Sequence, residues 1–346
     1  MYKLGASIYT GLDDYSLEDN LKYLDLLHEY GYEVIFSSAH INEATLTLDE
    51  LQKIVDKAYE YGIHLSLDVS KPMMERFVIP KNLYALRLDY GFTKEDIVSY
   101  SKAHDFVVEL NASTLTKERL EELINLGLDT TNVRASFNFY PKLYTGHDIQ
   151  FVKEKIALFK KYNIPILIFI PSHTMMRPPM YEGLPSIEKH RTMNLDLVIE
   201  ELKTLDIDEI AFGDAYASKE ELETLKIHQV DTLILPFHFV DETKMFKEHL
   251  DGIFSSRIDS NNLMLRSTLW RGKEDIQPFN TVERKKGYVT IDNNGFKRYK
   301  GEINIILEDL PSDERVNVIG FVELTDDIIT ALKKGKRFTF GVKTND

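Results

Sequence analysis

The chain has 346 residues, 43% of them hydrophobic, enough for one large domain and a smaller companion. With 42 Lys and Arg against 56 Asp and Glu, its formal net charge of −14 argues against non-specific binding to nucleic acid or an anionic membrane. Cysteine is absent, no apolar run approaches the roughly 18 residues of a membrane helix, and the first dozen residues lack a signal-peptide core, so a soluble cytoplasmic protein is expected.

Short apolar strands alternate with amphipathic helices from the N-terminus. The strands are "KLGASIY", "YEVIFSS", "HLSLDVS", "YALRLDYG", "DFVVELNAS", "NVRASFNFYP", "PILIFIPS" and "EIAFGDAY". The helix "SLEDNLKYLDLLHEYG" places Leu17, Leu21, Leu24 and Leu27 on one face and stops at Gly31, and "TLDELQKIVDKAYEYG" opens with Thr47 and Glu50 in capping spacing. Eight such units in about 228 residues predict a (β/α)8 TIM barrel. A doubly wound sheet is the alternative, but no G-x-G-x-x-G or P-loop follows any strand. From about residue 230 the texture changes to "TLILPFHFV", a helical "DETKMFKEHL", and then "NLMLRSTLW", "GYVTIDN", "FKRYKGEINIILED", "VNVIGFVEL" and "RFTFGV". The predicted organisation is α/β, with a catalytic barrel over 1–229 and a small, mostly β domain over 230–346.

A barrel strand points alternate side chains at the helices and into the interior, and the outward set must be apolar. Arg87 and Asp89 on the fourth strand therefore belong to the inward set. So do Ser66 and Asp68 on the third, Glu109, Asn111 and Ser113 on the fifth, and Ser136, Asn138 and Tyr140 on the sixth. Asp214 in "FGDAY" and Ser172 in "FIPS" extend this polar layer toward the C-terminal rim, where barrel enzymes hold their sites. An interior Arg and Asp pair serves structure as readily as function. Four carboxylates converging from Asp68, Asp89, Glu109 and Asp214 need partners or a task. Such carboxylates suit glycosidic cleavage, and equally metal binding.

The segment 173–191, "HTMMRPPMYEGLPSIEKHR", follows the seventh strand and reads either as an anchored surface loop or as a lid carrying Arg177 and Arg191 to the site. Lys142 adds charge on the same side. Arg266 and Thr268 share a strand face near Trp270 and Arg271, and either cover the barrel mouth or form a plain surface strand. His40 and His173 follow strands; His28 and His228 are expected at helix surfaces or edges. With no H-x-H on a strand and no H-E-x-x-H on a helix, no metal and no cofactor are expected.

In chain order, "LGASIY", "LDVS", "LRLDYGF", "ELNAS", "FNFYP", "YEGLPSIEKHR", "FGDAYAS", "LRST" and "IDNNGFKRYKGE" resemble the 6-phospho-N-acetylmuramidase (MupG-like) family over nearly the whole chain. The resemblance implies a TIM barrel followed by a cyclophilin-like domain. It also implies cytoplasmic hydrolysis of N-acetylmuramic acid 6-phosphate linked to N-acetylglucosamine, in cell-wall recycling. Phe137 stands where that family usually has His, Lys142 and Leu143 where it usually has Arg and Pro, and the loop 173–183 is less rich in Gly and basic residues.

On this reading the catalytic candidates are Asp89 and Glu109, ahead of Asp68 and Asp214. The substrate-binding candidates are Asn111, Asn138, Tyr140, Lys142, Ser172, Arg177, Arg191 and Arg266, and the partner is a small phosphosugar. A non-catalytic phosphosugar sensor and a metal-dependent barrel lyase or isomerase are the rival readings.

Overall fold

The computed structural model describes residues 1–12, 14–38, 48–75, 78–240, 243–267 and 275–342. His40, Thr47, Thr268, Trp270 and Arg271 lie outside the described residues.

Eight parallel strands close into a barrel in chain order: β1 (Lys3–Ser7), β2 (Val34–Ser38), β3 (His64–Val69), β4 (Ala85–Leu88), β5 (Val107–Asn111), β6 (Val133–Ser136), β7 (Ile166–Ile170) and β8 (Glu209–Phe212), the last pairing with the first. All eight predicted strands are present. The helix Leu17–Tyr30 begins where Ser16 accepts from the Asp19 N–H and ends at Gly31, whose φ of 79° is the left-handed turn that glycine adopts without strain. Its buried residues are Asn20, Tyr23, Leu24 and Leu27. The expected Leu17 and Leu21 are only partly covered, because Asn20 turns inward and donates to the Tyr9 carbonyl at 3.0 Å.

Packing divides the chain into two compact units, Met1–Asn194 with Leu205–Ile227, and Leu195–Thr204 with His228–Asp346. In the second, six strands, β9 (Leu233–Phe239), β10 (Met264–Arg266), β11 (Tyr288–Asp292), β12 (Ile303–Ile306), β13 (Val316–Val322) and β14 (Phe338–Val342), form a sheet in the order β10, β12, β11, β13, β9, β14. "FKRY", expected to be extended, lies in a 3-10 turn, Asn294–Tyr299. The helix Asp326–Lys333, capped by Thr325, was not foreseen. His228 is buried rather than at a surface, its ring held between Asp196 and Glu200, which raise its pKa against the opposing effect of burial.

Register explains the barrel interior. Asp68 pairs with Arg87, Arg87 with Glu109, and Glu109 with Arg134, so one row of alternating charge crosses β3 to β6. Barrel strands are tilted, so a row that starts near the C-terminal end of β3 reaches β6 near its N-terminal end. Asp68 therefore stands near the mouth, while Glu109, fully buried, lies deeper. Arg134 Nε is 3.0 Å from Glu109 Oε2, outside hydrogen-bond geometry, and Arg134 also pairs with Glu209 of β8. Burial pushes the Glu209 carboxyl up, with Arg134 opposing the shift.

Replacing Arg134 with Leu strands two carboxylates in the interior. The Arg134→Leu variant should lose about 3–5 kcal/mol in denaturant unfolding at neutral pH. Part of that loss should return as the pH falls and Glu209 takes up a proton. Wild-type stability in this variant would show that the row does not hold the barrel together.

Candidate active site

At the mouth, Arg87 organises the polar residues. Its Nη1 donates to Asp68 Oδ1 at 3.0 Å and lies 3.8 Å from Asp89 Oδ1, while Nη2 donates to Asn138 Oδ1. Burial disfavours the charge on Arg87, but Asp68, Asp89 and Glu109 outweigh it and hold its pKa above the usual value. Asn111 Nδ2 donates to Asp89 Oδ1 at 2.9 Å and to Asn138 Oδ1 at 3.1 Å. Its Oδ1 accepts from the N–H groups of Ser113 and Thr114, which turns the chain at the end of β5 and fixes the amide. Exposure separates the two carboxylates: the Asp89 side chain is 37% exposed and that of Asp68 10%.

A second cluster stands on the neighbouring strand end. His147 Nε2 lies 2.8 Å from Ser113 Oγ and 2.9 Å from Tyr140 Oη, and Ser113 Oγ also accepts from the Asn138 N–H. Burial lowers the His147 pKa, which favours the neutral imidazole. The sequence reading named Tyr140 and Asn138 but missed His147. The "TGH" at 145–147, which ends seven residues after Tyr140, was its only trace.

Loop 171–191 folds over the ends of β7 and β8. Asp214 is its anchor: Oδ1 accepts from Arg177 N–H at 2.8 Å, and Oδ2 from Ser172 and Leu184 N–H at 2.9 and 3.0 Å. The preceding Gly213 is required for this approach, since a Cβ there would sit 2.3 Å from the Leu184 carbonyl oxygen. The Arg177 guanidinium lies 4.4 Å from the centroid of the Tyr9 ring and 5.6 Å from that of Phe139. Its Nε is buried without a hydrogen-bond partner. Tyr9, Phe36 and Phe169 form the apolar floor beneath, with Phe139 packed against it.

Several predicted site residues take other posts. Glu109 sits below the mouth, in the charge row. Asp214 is fully buried and spends both oxygens on the loop. Ser172 Oγ donates to Glu221 Oε2 at 2.9 Å. Arg191, expected to face substrate, is 6% exposed and staples the loop. It makes a double contact with Glu188 at 2.8 and 2.7 Å and donates to the carbonyls of Tyr140, Lys142, Glu182 and Gly183. Hydrogen bonds from Arg191, together with the backbone of Tyr144 and Gly146, hold the Glu188 carboxyl down at about 2. Arg266 lies in the second unit, where it grips Glu302 through two hydrogen bonds of 2.6 and 3.1 Å. Lys142 is exposed. Among the described residues no three His, Asp or Glu side chains converge as metal ligands, and no helix is long and apolar enough to cross a membrane.

Burial raises the Asp214 carboxyl from 3.8 to about 6, against the three backbone N–H groups that favour its charge. The folded chain thus holds this proton more tightly than the unfolded one. Its contribution to stability should therefore fall as the pH rises from about 4 to about 6 and level off above. Asp214→Ala should expose the amides of Ser172, Arg177 and Leu184 to hydrogen exchange while the barrel strands keep their protection. Unchanged protection of those three amides would show that the loop is held by something else.

Two family models match the chain. That described as 6-phospho-N-acetylmuramidase, N-terminal, covers residues 4–227, and that described as 6-phospho-N-acetylmuramidase, C-terminal, covers residues 233–341. Among solved structures, an uncharacterized B. cereus protein is similar at 29% identity and a TM-score of 0.85, covering 98% of this chain and 99% of its own. A conserved Enterococcus faecalis protein of unknown function is similar at 28% identity and a TM-score of 0.77, covering 99% of this chain and 96% of its own. No curated protein matches.

Proposed function

The chain belongs to the 6-phospho-N-acetylmuramidase family, and on that premise we propose that it is a glycoside hydrolase cleaving a 6-phosphorylated muramyl sugar from N-acetylglucosamine. A cytoplasmic role in cell-wall recycling follows from that substrate. One observation carries the chemical part of the reading: Asp89, open to solvent, and Asp68, beside it, share the Nη1 of Arg87 at the barrel mouth.

Glycosidic cleavage needs one carboxyl group that protonates the leaving oxygen and another that attacks the anomeric carbon or activates water. Asp68 is the tighter partner of Arg87 and fits the charged role. Asp89, farther from the guanidinium and more exposed, fits the role that gives up and regains a proton. The pair is therefore Asp68 and Asp89, and not the expected Asp89 and Glu109, because Glu109 lies a layer deeper and faces Arg134. The tilted charge row supports the change.

The phosphate and lactyl carboxylate of such a sugar require cations. Arg177 supplies a guanidinium packed over the Tyr9 ring, suited to oxyanion recognition, and Lys142 adds an exposed charge. Asn111, Asn138 and Tyr140 provide neutral polar contacts for ring hydroxyl and acetamido groups. Arg191 and Ser172 act through the loop they hold, and do not touch substrate.

The test is a kinetic series on the phosphorylated disaccharide and its unphosphorylated form. Asp68→Asn and Asp89→Asn should each lower kcat by about 10²–10⁴-fold. On a muramyl 6-phosphate with a nitrophenyl leaving group, Asp89→Asn should recover and Asp68→Asn should not, since a good leaving group needs no proton. Arg177→Ala should raise KM by about tenfold or more for the phosphorylated sugar only. Full activity in both Asp variants, or cleavage indifferent to phosphate, would contradict the assignment.

A further inference from the structure

The second unit contains a cavity of about 360 Å³ on one face of its sheet, lined by both polar and apolar side chains. Register sets its floor. Arg266 on β10, Asn304 on β12 and Thr290 on β11 stand side by side in one cross-strand row. One step along the same face lie Glu302 and Asp292, with Val316 of β13 opposite Asp292. Phe296 and Tyr299, from the 3-10 turn, and Arg284 complete the wall. The opposite face carries the apolar partners Leu265, Val289, Ile291, Ile303 and Ile305, all buried. The polar residues of the floor are buried as well: Thr290 is 1% exposed, Glu302 3% and Asn304 5%.

A buried polar row on a sheet face is costly unless its groups are hydrogen-bonded. Arg266 and Glu302 satisfy each other through their two-pronged contact. Asn304, which lines the cavity, does not: its Oδ1 is buried and has no hydrogen-bond partner. Asp292 offers a second acceptor, and burial, then Glu302, pushes its carboxyl up to about 7.

We infer that this cavity is a second ligand site, built entirely from residues of the second unit for a neutral hydroxyl-rich ligand of the saccharide class. Asn304 Oδ1 and the Asp292 carboxyl accept from vicinal hydroxyls, and Thr290 can donate or accept. Phe296 and Tyr299 supply aromatic surface for the apolar face of a pyranose ring. Charge argues for neutrality in the ligand. Arg266 is neutralised by Glu302; an anion would meet Asp292 and Glu302, and an organic cation would meet Arg266 and Arg284. The inference does not depend on the chemistry assigned to the barrel.

The experiment uses the full-length chain and three probes, N-acetylglucosamine, propylammonium and inorganic phosphate, followed by ligand-observed NMR and calorimetry. N-acetylglucosamine should bind with a dissociation constant on the order of 1 mM. Asn304→Leu should weaken it by about tenfold, and the surface change Tyr299→Ala should weaken it too, without risk to the sheet. Lys22→Ala, an exposed change on the barrel helix Leu17–Tyr30, should leave this binding unchanged. The inference is overturned if the sugar does not bind, if its binding is unchanged in both second-unit variants, or if either charged probe binds more tightly than the sugar in a manner abolished by Asn304→Leu.

Discussion

A guanidinium cannot be carried into a barrel interior without anions to meet it, and Arg87 sets the terms on which the mouth is built. Its burial costs free energy that Asp68, Asp89 and Asn138 must offset. Those partners are thereby held in fixed positions at the C-terminal ends of neighbouring strands, where a substrate can reach them. Asn111 then fixes Asp89, and its own amide is fixed by the turn that ends β5. The catalytic geometry proposed for this chain is thus a by-product of satisfying one buried cation.

The same logic, repeated deeper, serves structure alone. Arg134 between Glu109 and Glu209 closes the lower interior across the barrel, uniting β5, β6 and β8. Asp214 and Arg191 do comparable work in the loop above, one as an acceptor for three amides and the other as a donor to four carbonyls and a carboxylate. The Asp214 contacts rely on close backbone approach, which Gly213 permits. A charged residue near the site therefore has two very different employments, and its free valences separate them. Asp89 stays exposed and Arg177 half-buried, whereas Asp214 and Arg191 are buried and spend their hydrogen-bonding groups on the fold.

Much of this was legible in the sequence. Period-two alternation identified Asp68, Arg87, Asp89, Glu109, Asn111 and Asn138 as inward-facing, and the repeated strand and helix units identified the barrel. Alternation fixes a side chain's face but not its height. Height depends on inter-strand register and tilt, and so Glu109 was placed at the rim when it belongs a layer below. Arg134, in the same alternating set as Ser136 and Asn138, and Glu209 were passed over because they lie at the N-terminal ends of their strands, away from the rim. His147 escaped because it reaches Ser113 from a loop 34 residues away. The role of Arg191 rests on carbonyls of two separate segments, 140–142 and 182–183, a pattern with no signature in residue type or spacing.

The central claim is that substrate is held between Asp68, Asp89 and Arg177. A crystal structure of Asp68→Asn with the intact phosphorylated disaccharide tests it most directly. The account predicts the glycosidic oxygen within about 2.6–3.2 Å of an Asp89 oxygen and the phosphate against the Arg177 guanidinium. Sugar bound elsewhere, or seated at the mouth with its scissile bond turned away from Asp89, would contradict it.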